Sequence, residues 1–345
     1  MGLSSQTVLP PADAQASATD AEQRAKRGHF WGEDESAWDK VREIALDRLD
    51  EMMNLEPKVL RGEKAGAIHD FRVASRRFQQ AFDLLSPADP PKNLLRMRRS
   101  LARSRKALSP VRTLDVFIRR ADRILARKRA PRRPAWDAIR EYLAAEREKA
   151  FARATKKIGK LRLAHDYVRL RRLLDHGACS ERRNSEASPA HDGARLGDGP
   201  FEERLTQSLT KAWEGFEEAG AQARKSPEGD AVHAARLAAK RLRYLMELVH
   251  AFEDPHSGRV ISHLRRVQDG LGECHDYEVE EEVLAGMVAR PEFLRKHLDL
   301  AFEILKLMAQ HRKTRERLAA AFPDEFDREA SEPIKQSVLA LAAKD

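Results

Sequence analysis

The sequence predicts an all-α protein carrying an internal duplication, and three observations support that prediction. Ala, Leu, Arg and Glu dominate the 345 residues while aromatics make up 6%, so strong helix formers abound and the residues that favour strands are scarce. Apolar positions recur at helical spacing over most of the chain, punctuated by prolines. A histidine-headed helical motif also occurs twice at one fixed offset, the signature of a tandem repeat.

Taken in order, residues 1–34 are polar, carry Pro10 and Pro11, and are expected to form a disordered tail. Helical periodicity begins near Trp38 and predicts a first helix ending at Pro57, a second over 66–86, a third over 92–108 and a fourth over 110–128. Prolines 87, 90, 91, 110 and 131 set those boundaries. One or two helices fill 134–175, which completes a first unit over 35–175. Residues 176–200 collect Gly, Ser, Pro, Asn and Asp without apolar periodicity and are expected to be a flexible linker. A second unit over 201–345 repeats the layout, with helices over 201–225, 229–253, 257–271, 276–289, 292–321 and 324–343.

The repeat is explicit when residues 69–85 are laid on residues 233–249 at an offset of 164. His69 meets His233, Arg72 meets Arg236, Arg76 meets Lys240 and Arg77 meets Arg241. Phe78, Phe82 and Leu85 meet Leu242, Met246 and Val249. At 100° per residue, His69, Arg72 and Arg76 fall within about 60° of one another, opposite Phe78, Ala81, Phe82 and Leu85. His233, Arg236 and Lys240 form the same stripe opposite Leu242, Leu245, Met246 and Val249. Downstream, residues 103–116 resemble residues 266–279, with Leu108 on Leu271 and Arg112 on His275.

A stripe of His, Arg and Lys suits phosphate. Arg offers a planar fork to two oxygens, Lys a mobile point charge, and His a donor whose charge rises near neutral pH. Residues 92–133 add sixteen Lys and Arg against only Asp115 and Asp122. Leu94, Leu101 and Leu108 make a heptad seam there, flanked at the same spacing by Arg98, Arg105 and Arg112, which are expected to line a groove; Arg96, Arg99, Arg103 and Lys106 lie on the far side.

The whole chain carries net charge +9, which favours a polyanionic partner. Cys179 and Cys274 are the only cysteines, and they indicate neither a disulfide framework nor a zinc site. No signal-like start or long apolar run is present, so a cytoplasmic protein with no membrane contact is expected. Glu280, Glu281 and Glu282 are consecutive, cannot share one helix face, and read as an acidic surface rather than a metal site; His263 and His275 read as surface or groove residues. No P-loop, nucleophile elbow or HExxH motif occurs, so neither catalysis nor a cofactor is expected.

HxxRxxxRR at 69–77 and HxxRxxxKRLRY at 233–244, each followed by LSPVR or LGECHD, resemble the CHAD, or conserved histidine α-helical, domain over residues 35–320. The resemblance implies two pseudo-symmetric, tandem-duplicated four-helix bundles around a basic central groove. It also implies binding of inorganic polyphosphate there, with possible partners among granule-associated proteins. Carried across, it points to His69, Arg72, Arg76, Arg112, His233, Arg236, Lys240 and Arg243; with the neighbouring Arg77, Arg98, Arg105 and Arg241 these are the expected polyphosphate-binding residues. Nucleic acid is the main alternative ligand and metal chelation by the histidines a lesser one. The basic helices interleave few aromatics for base stacking, and cations flanking each histidine oppose a bound divalent ion.

Overall fold

A computed structural model describes residues 34–62, 65–177, 196–197, 199–226, 229–254 and 257–325. The expected tail up to residue 33, most of the linker and nearly all of the helix expected over 324–343 lie outside the described residues. Those described form ten helices and no strand. They are α1 (Asp34–Arg61), α2 (Ala65–Leu85), α3 (Lys92–Leu125), α4 (Arg133–Gly159), α5 (Leu163–Gly177), α6 (Phe201–Lys225), α7 (Gly229–His250), α8 (Ser257–Val288), α9 (Pro291–Lys296) and α10 (Leu298–Glu325).

Four expected breaks are absent. Pro57 lies inside α1, Pro110 inside α3 and Pro323 inside α10, while α8 runs unbroken through Gly270 and Gly272. A proline inside a helix removes one ladder hydrogen bond, but packing outweighs that loss where the flanking residues are core. Leu108 and Val111, either side of Pro110, are fully buried, and Leu271 and Cys274 bracket Gly272 in the same way.

In the first half α1 packs on α2, α2 on α3 and α3 on α4, with α5 returning to α1 and α3. In the second, α6 packs on α7, α7 on α8 and α8 on α10, beside the short α9. The halves meet chiefly through α2 against α7, supported by α3 against α8, α4 against α10 and α1 against α6. The apolar positions that superpose in the repeat form the core: Phe78, Phe82 and Leu85 on α2 and Leu242, Met246 and Val249 on α7 are each at most 1% exposed. Each such side chain contributes about 2 kcal/mol by leaving water. The opposite, basic faces of α2 and α7 are thereby turned toward the junction between halves.

The last residues of the expected linker are fastened rather than loose. Leu196 is buried, Gly197 N–H donates to the Leu85 carbonyl at 2.7 Å, and Arg42 donates to the Leu196 carbonyl at 3.1 Å. Gly197 has φ +73°, and a Cβ there would lie 3.0 Å from the Trp38 ring, so only glycine fits this entry into α6. Trp38 itself donates to the Gly199 carbonyl at 2.9 Å and packs edge-on against Phe201.

Candidate anion-binding cleft

Between α2, α3, α7 and α8 lies a cleft of about 490 Å³. Its walls bring together seven of the twelve residues expected from sequence: His69, Arg72 and Arg76 from α2, Arg112 from α3, and His233, Arg236 and Lys240 from α7. His275 of α8 joins them, its ring 4.9 Å from that of His233. A second cavity of about 610 Å³ shares Arg236, Lys240, Asp276 and Glu280 with the first and extends it toward Arg120 and Glu273.

The other five lie outside both linings. Arg77 and Arg243 converge on the single carboxylate of Glu247, at 2.8 and 3.0 Å, and Arg243 also stacks on Tyr244. Arg98 pairs with Asp83 at 3.0 Å. Arg105 donates to the carbonyl and hydroxyl of Ser75 and to Gln79. Arg241 is exposed. The heptad of arginines on α3 is thus divided: Arg98 and Arg105 tie α3 to α2, and only Arg112 faces the cleft.

The cleft also holds two cations that the sequence reading left out, Arg119 and Arg123. The signal existed, since Arg119 is the next heptad step after Arg112. It was hidden by ending the helix at Pro110, which interrupted the stripe.

Two readings of α8 are corrected. Glu280 and Glu281 are not an acidic surface; they are 3% and 9% exposed. Glu280 accepts from Arg120 at 2.7 Å and lies 3.6 Å from His311, and Glu281 accepts from Arg315 at 3.2 Å. Because α8 is unbroken and packed on both sides, consecutive carboxylates reach different neighbouring helices, and only Glu282 remains exposed. His263 is buried at 7% exposure, away from surface and cleft alike; burial lowers its pKa.

The electrostatics of the cleft are those of crowded cations. Seven of them (Arg72, Arg76, Arg112, Arg119, Arg123, Arg236 and Lys240) face two carboxylates, Asp276 and Glu280. Burial, compounded by Arg236, Arg76 and Arg72, pushes the Lys240 ammonium down to about 6. Burial and the neighbouring Arg76 bring Arg72 down to about 10, and burial lowers Arg112 and Arg236 as well. His69 is lowered by burial and Arg112, and His233 by burial and His275. Glu280 is pushed up to about 7 by burial, against the pull of Arg120.

Arg72 is held by Ser109 Oγ at 2.8 Å and by the Arg105 carbonyl. Three buried nitrogens around the cleft, Arg112 Nη1, Arg236 Nε and His233 Nδ1, have no hydrogen-bond partner in the protein. Buried polar nitrogens are nearly always satisfied, so these three lack the partner that a buried group of their kind usually has. Among the described residues there is no His, Cys, Asp and Glu cluster suited to a metal ion, and no helix long and apolar enough to cross a membrane.

Two solved structures share this architecture. The CHAD domain from the plant Ricinus communis is 15% identical, with a TM-score of 0.60 over 84% of this chain and 90% of that one. PptA from Streptomyces chartreusis is 18% identical, with a TM-score of 0.56 over 84% of this chain and 98% of that one. At such identities the likeness establishes the fold. None of the curated proteins matches the sequence. The CHAD domain family profile matches residues 43–285, the span that includes both basic helices and the whole cleft; the chain belongs to the CHAD domain family.

Proposed function

We propose that the cleft binds inorganic polyphosphate, and that the protein is a binding module rather than an enzyme. The observation that carries this is the set of unpartnered buried nitrogens, Arg112 Nη1, Arg236 Nε and His233 Nδ1, on residues that wall one cavity crowded with cations. Cations buried together without enough carboxylates are costly until an anion arrives. A linear phosphate chain supplies oxygen acceptors at short, regular intervals, enough to engage guanidinium groups from both walls. CHAD domains are associated with polyphosphate binding, which agrees with this reading. Localisation to polyphosphate granules in the cytoplasm follows as part of the same proposal.

Nucleic acid is less well suited. Of the residues lining the main cleft, Phe117 is the only Phe, Tyr or Trp, and at 2% exposure it offers no stacking face. The test is binding of fluorescent long-chain polyphosphate at near-physiological salt, with tRNA and single-stranded DNA as competitors matched by phosphate. Tight binding that survives competition is expected, with no orthophosphate released on prolonged incubation. Equal competition by nucleic acid, or loss of binding at that salt, would replace the proposal with a generic basic surface.

A further inference from the structure

The duplication extends to a contact beneath the cleft that neither basic face provides. Arg105 on α3 donates from Nη1 to the Ser75 carbonyl of α2 at 3.1 Å and to Ser75 Oγ at 2.9 Å. Gln268 on α8 donates from Nε2 to the Ala239 carbonyl of α7 at 3.0 Å. The offset of 164 that superposes α2 on α7 carries Ser75 to Ala239. The slightly shorter offset that carries Leu108 to Leu271 carries Arg105 to Gln268. Two chemically different side chains therefore make the same bond at equivalent places.

What they share is informative. Glutamine has no charge, so the common property is a donor long enough to cross from one helix to a carbonyl of its neighbour, where a lone pair left over from the helical ladder can accept it. Arg105 lies outside the linings of both cavities, and its donors are engaged by Ser75 and Gln79. Gln268 borders the second cavity, but it is 8% exposed and its amide nitrogen is committed to Ala239. Both bonds sit within one turn of a cleft cation: Ser75 precedes Arg76, and Ala239 precedes Lys240.

We infer that Arg105 and Gln268 are a matched pair of positioning residues. They pin α2 to α3 and α7 to α8, and so fix Arg76 and Lys240 relative to Arg112 and His275 without touching the ligand. This rests on the polyphosphate reading of the cleft, and it reassigns Arg105 from ligand contact to scaffold.

The experiment compares Arg105→Ala, Arg105→Gln, Gln268→Ala and, as a direct-contact reference, Arg112→Ala in the full chain. It measures affinity for long-chain polyphosphate over a range of salt, together with thermal melting. Removing a direct phosphate contact lowers the salt slope by about one. Arg112→Ala is expected to do so. Arg105→Ala and Gln268→Ala are each expected to weaken binding roughly tenfold with the slope unchanged. Arg105→Gln, which installs the side chain the other half already uses, is expected to bind within about twofold of the parent.

Arg105→Ala should still fold, because Arg72 donates to the backbone carbonyl of residue 105 and that tie survives. If Arg105→Gln loses as much affinity as Arg105→Ala and the slope falls, Arg105 is a ligand contact and the inference is overturned. It is equally overturned if Arg105→Ala binds like the parent. Failure of the parent itself to bind would sink the polyphosphate reading instead. In that event melting, which needs no ligand, still judges the clamps: both alanine variants must melt below the parent and Arg105→Gln alongside it.

Discussion

Lys240 is the residue whose chemistry the structure alters most. Its ammonium is held at about 6 by burial and by Arg236, Arg76 and Arg72, against the ordinary lysine value of about 10.4. An unfolded chain keeps the proton up to that ordinary value, so between about pH 6 and 10 the unfolded state binds more protons. Stability of the empty protein should therefore rise with pH across that window. A bound polyanion reverses the preference and restores the ammonium. Binding near pH 8 should take up about one proton, and affinity should fall by as much as about tenfold per pH unit while the free lysine is neutral and the bound one charged. Calorimetry in two buffers of different ionisation enthalpy measures this uptake, and Lys240→Met should abolish it. An uptake of zero in the parent would mean that the ammonium is already charged before ligand arrives. Sequence alone identified Lys240 as a basic-face residue through its alignment with Arg76. It could not show the shift, which arises from how many cations from other helices crowd the same space.

Helix α3 shows why elements were easier to read than their ends. The apolar seam of Leu94, Leu101 and Leu108 and the arginines beside it were legible as a heptad, and all three leucines are buried. Pro110 was given the power to stop the helix, yet Leu108, Val111 and Leu114 carry the core straight past it. Local propensity lost to packing at distance, and with the false break the reading also lost Arg119 and Arg123. Because the ring nitrogen of Pro110 cannot donate to the carbonyl one turn back, Pro110→Ala should restore a ladder bond on an exposed face. A gain of about 2–3 kcal/mol is expected from the known penalty for an interior proline, seen as a rise of roughly 3–5 °C in Tm. An unchanged Tm would show that the helix is distorted there for reasons beyond proline. The carboxylates of α8 were misread for a related cause: consecutive charges look exposed until the partners Arg120 and Arg315, remote in sequence, are placed beside them.

At the scale of the molecule, the two halves contribute unequally to the cleft. The first supplies five of the seven cations and the second supplies Arg236, Lys240 and both carboxylates. The all-α fold and the two basic faces were legible because helical periodicity and the basic stripe recur along the chain; which arginines reach the cleft was not, since Arg77, Arg98, Arg105 and Arg243 turn to partners away from it, which spacing alone does not show. Neutralising His69, Arg72 and Arg76 together should weaken polyphosphate binding roughly a hundredfold. Neutralising the exposed Arg96, Arg99 and Arg103 should cost less than about threefold. Equal losses in a titration would mean that binding is diffuse attraction to a basic surface. The fastening of Leu196 and Gly197 onto α1 and α2 has a separate consequence. The start of the second half is anchored to the first by its own bonds, and Arg77–Glu247, Arg120–Glu280, Arg132–Glu303 and Glu146–Arg290 also bridge the halves. Covalent continuity through residues 178–195 is then dispensable once folding is complete. A protease cut in that stretch should leave two fragments that co-elute and still capture ligand. Since each fragment alone carries one wall, ligand capture would serve as a readout of their reunion, making this chain a natural candidate for a split reporter.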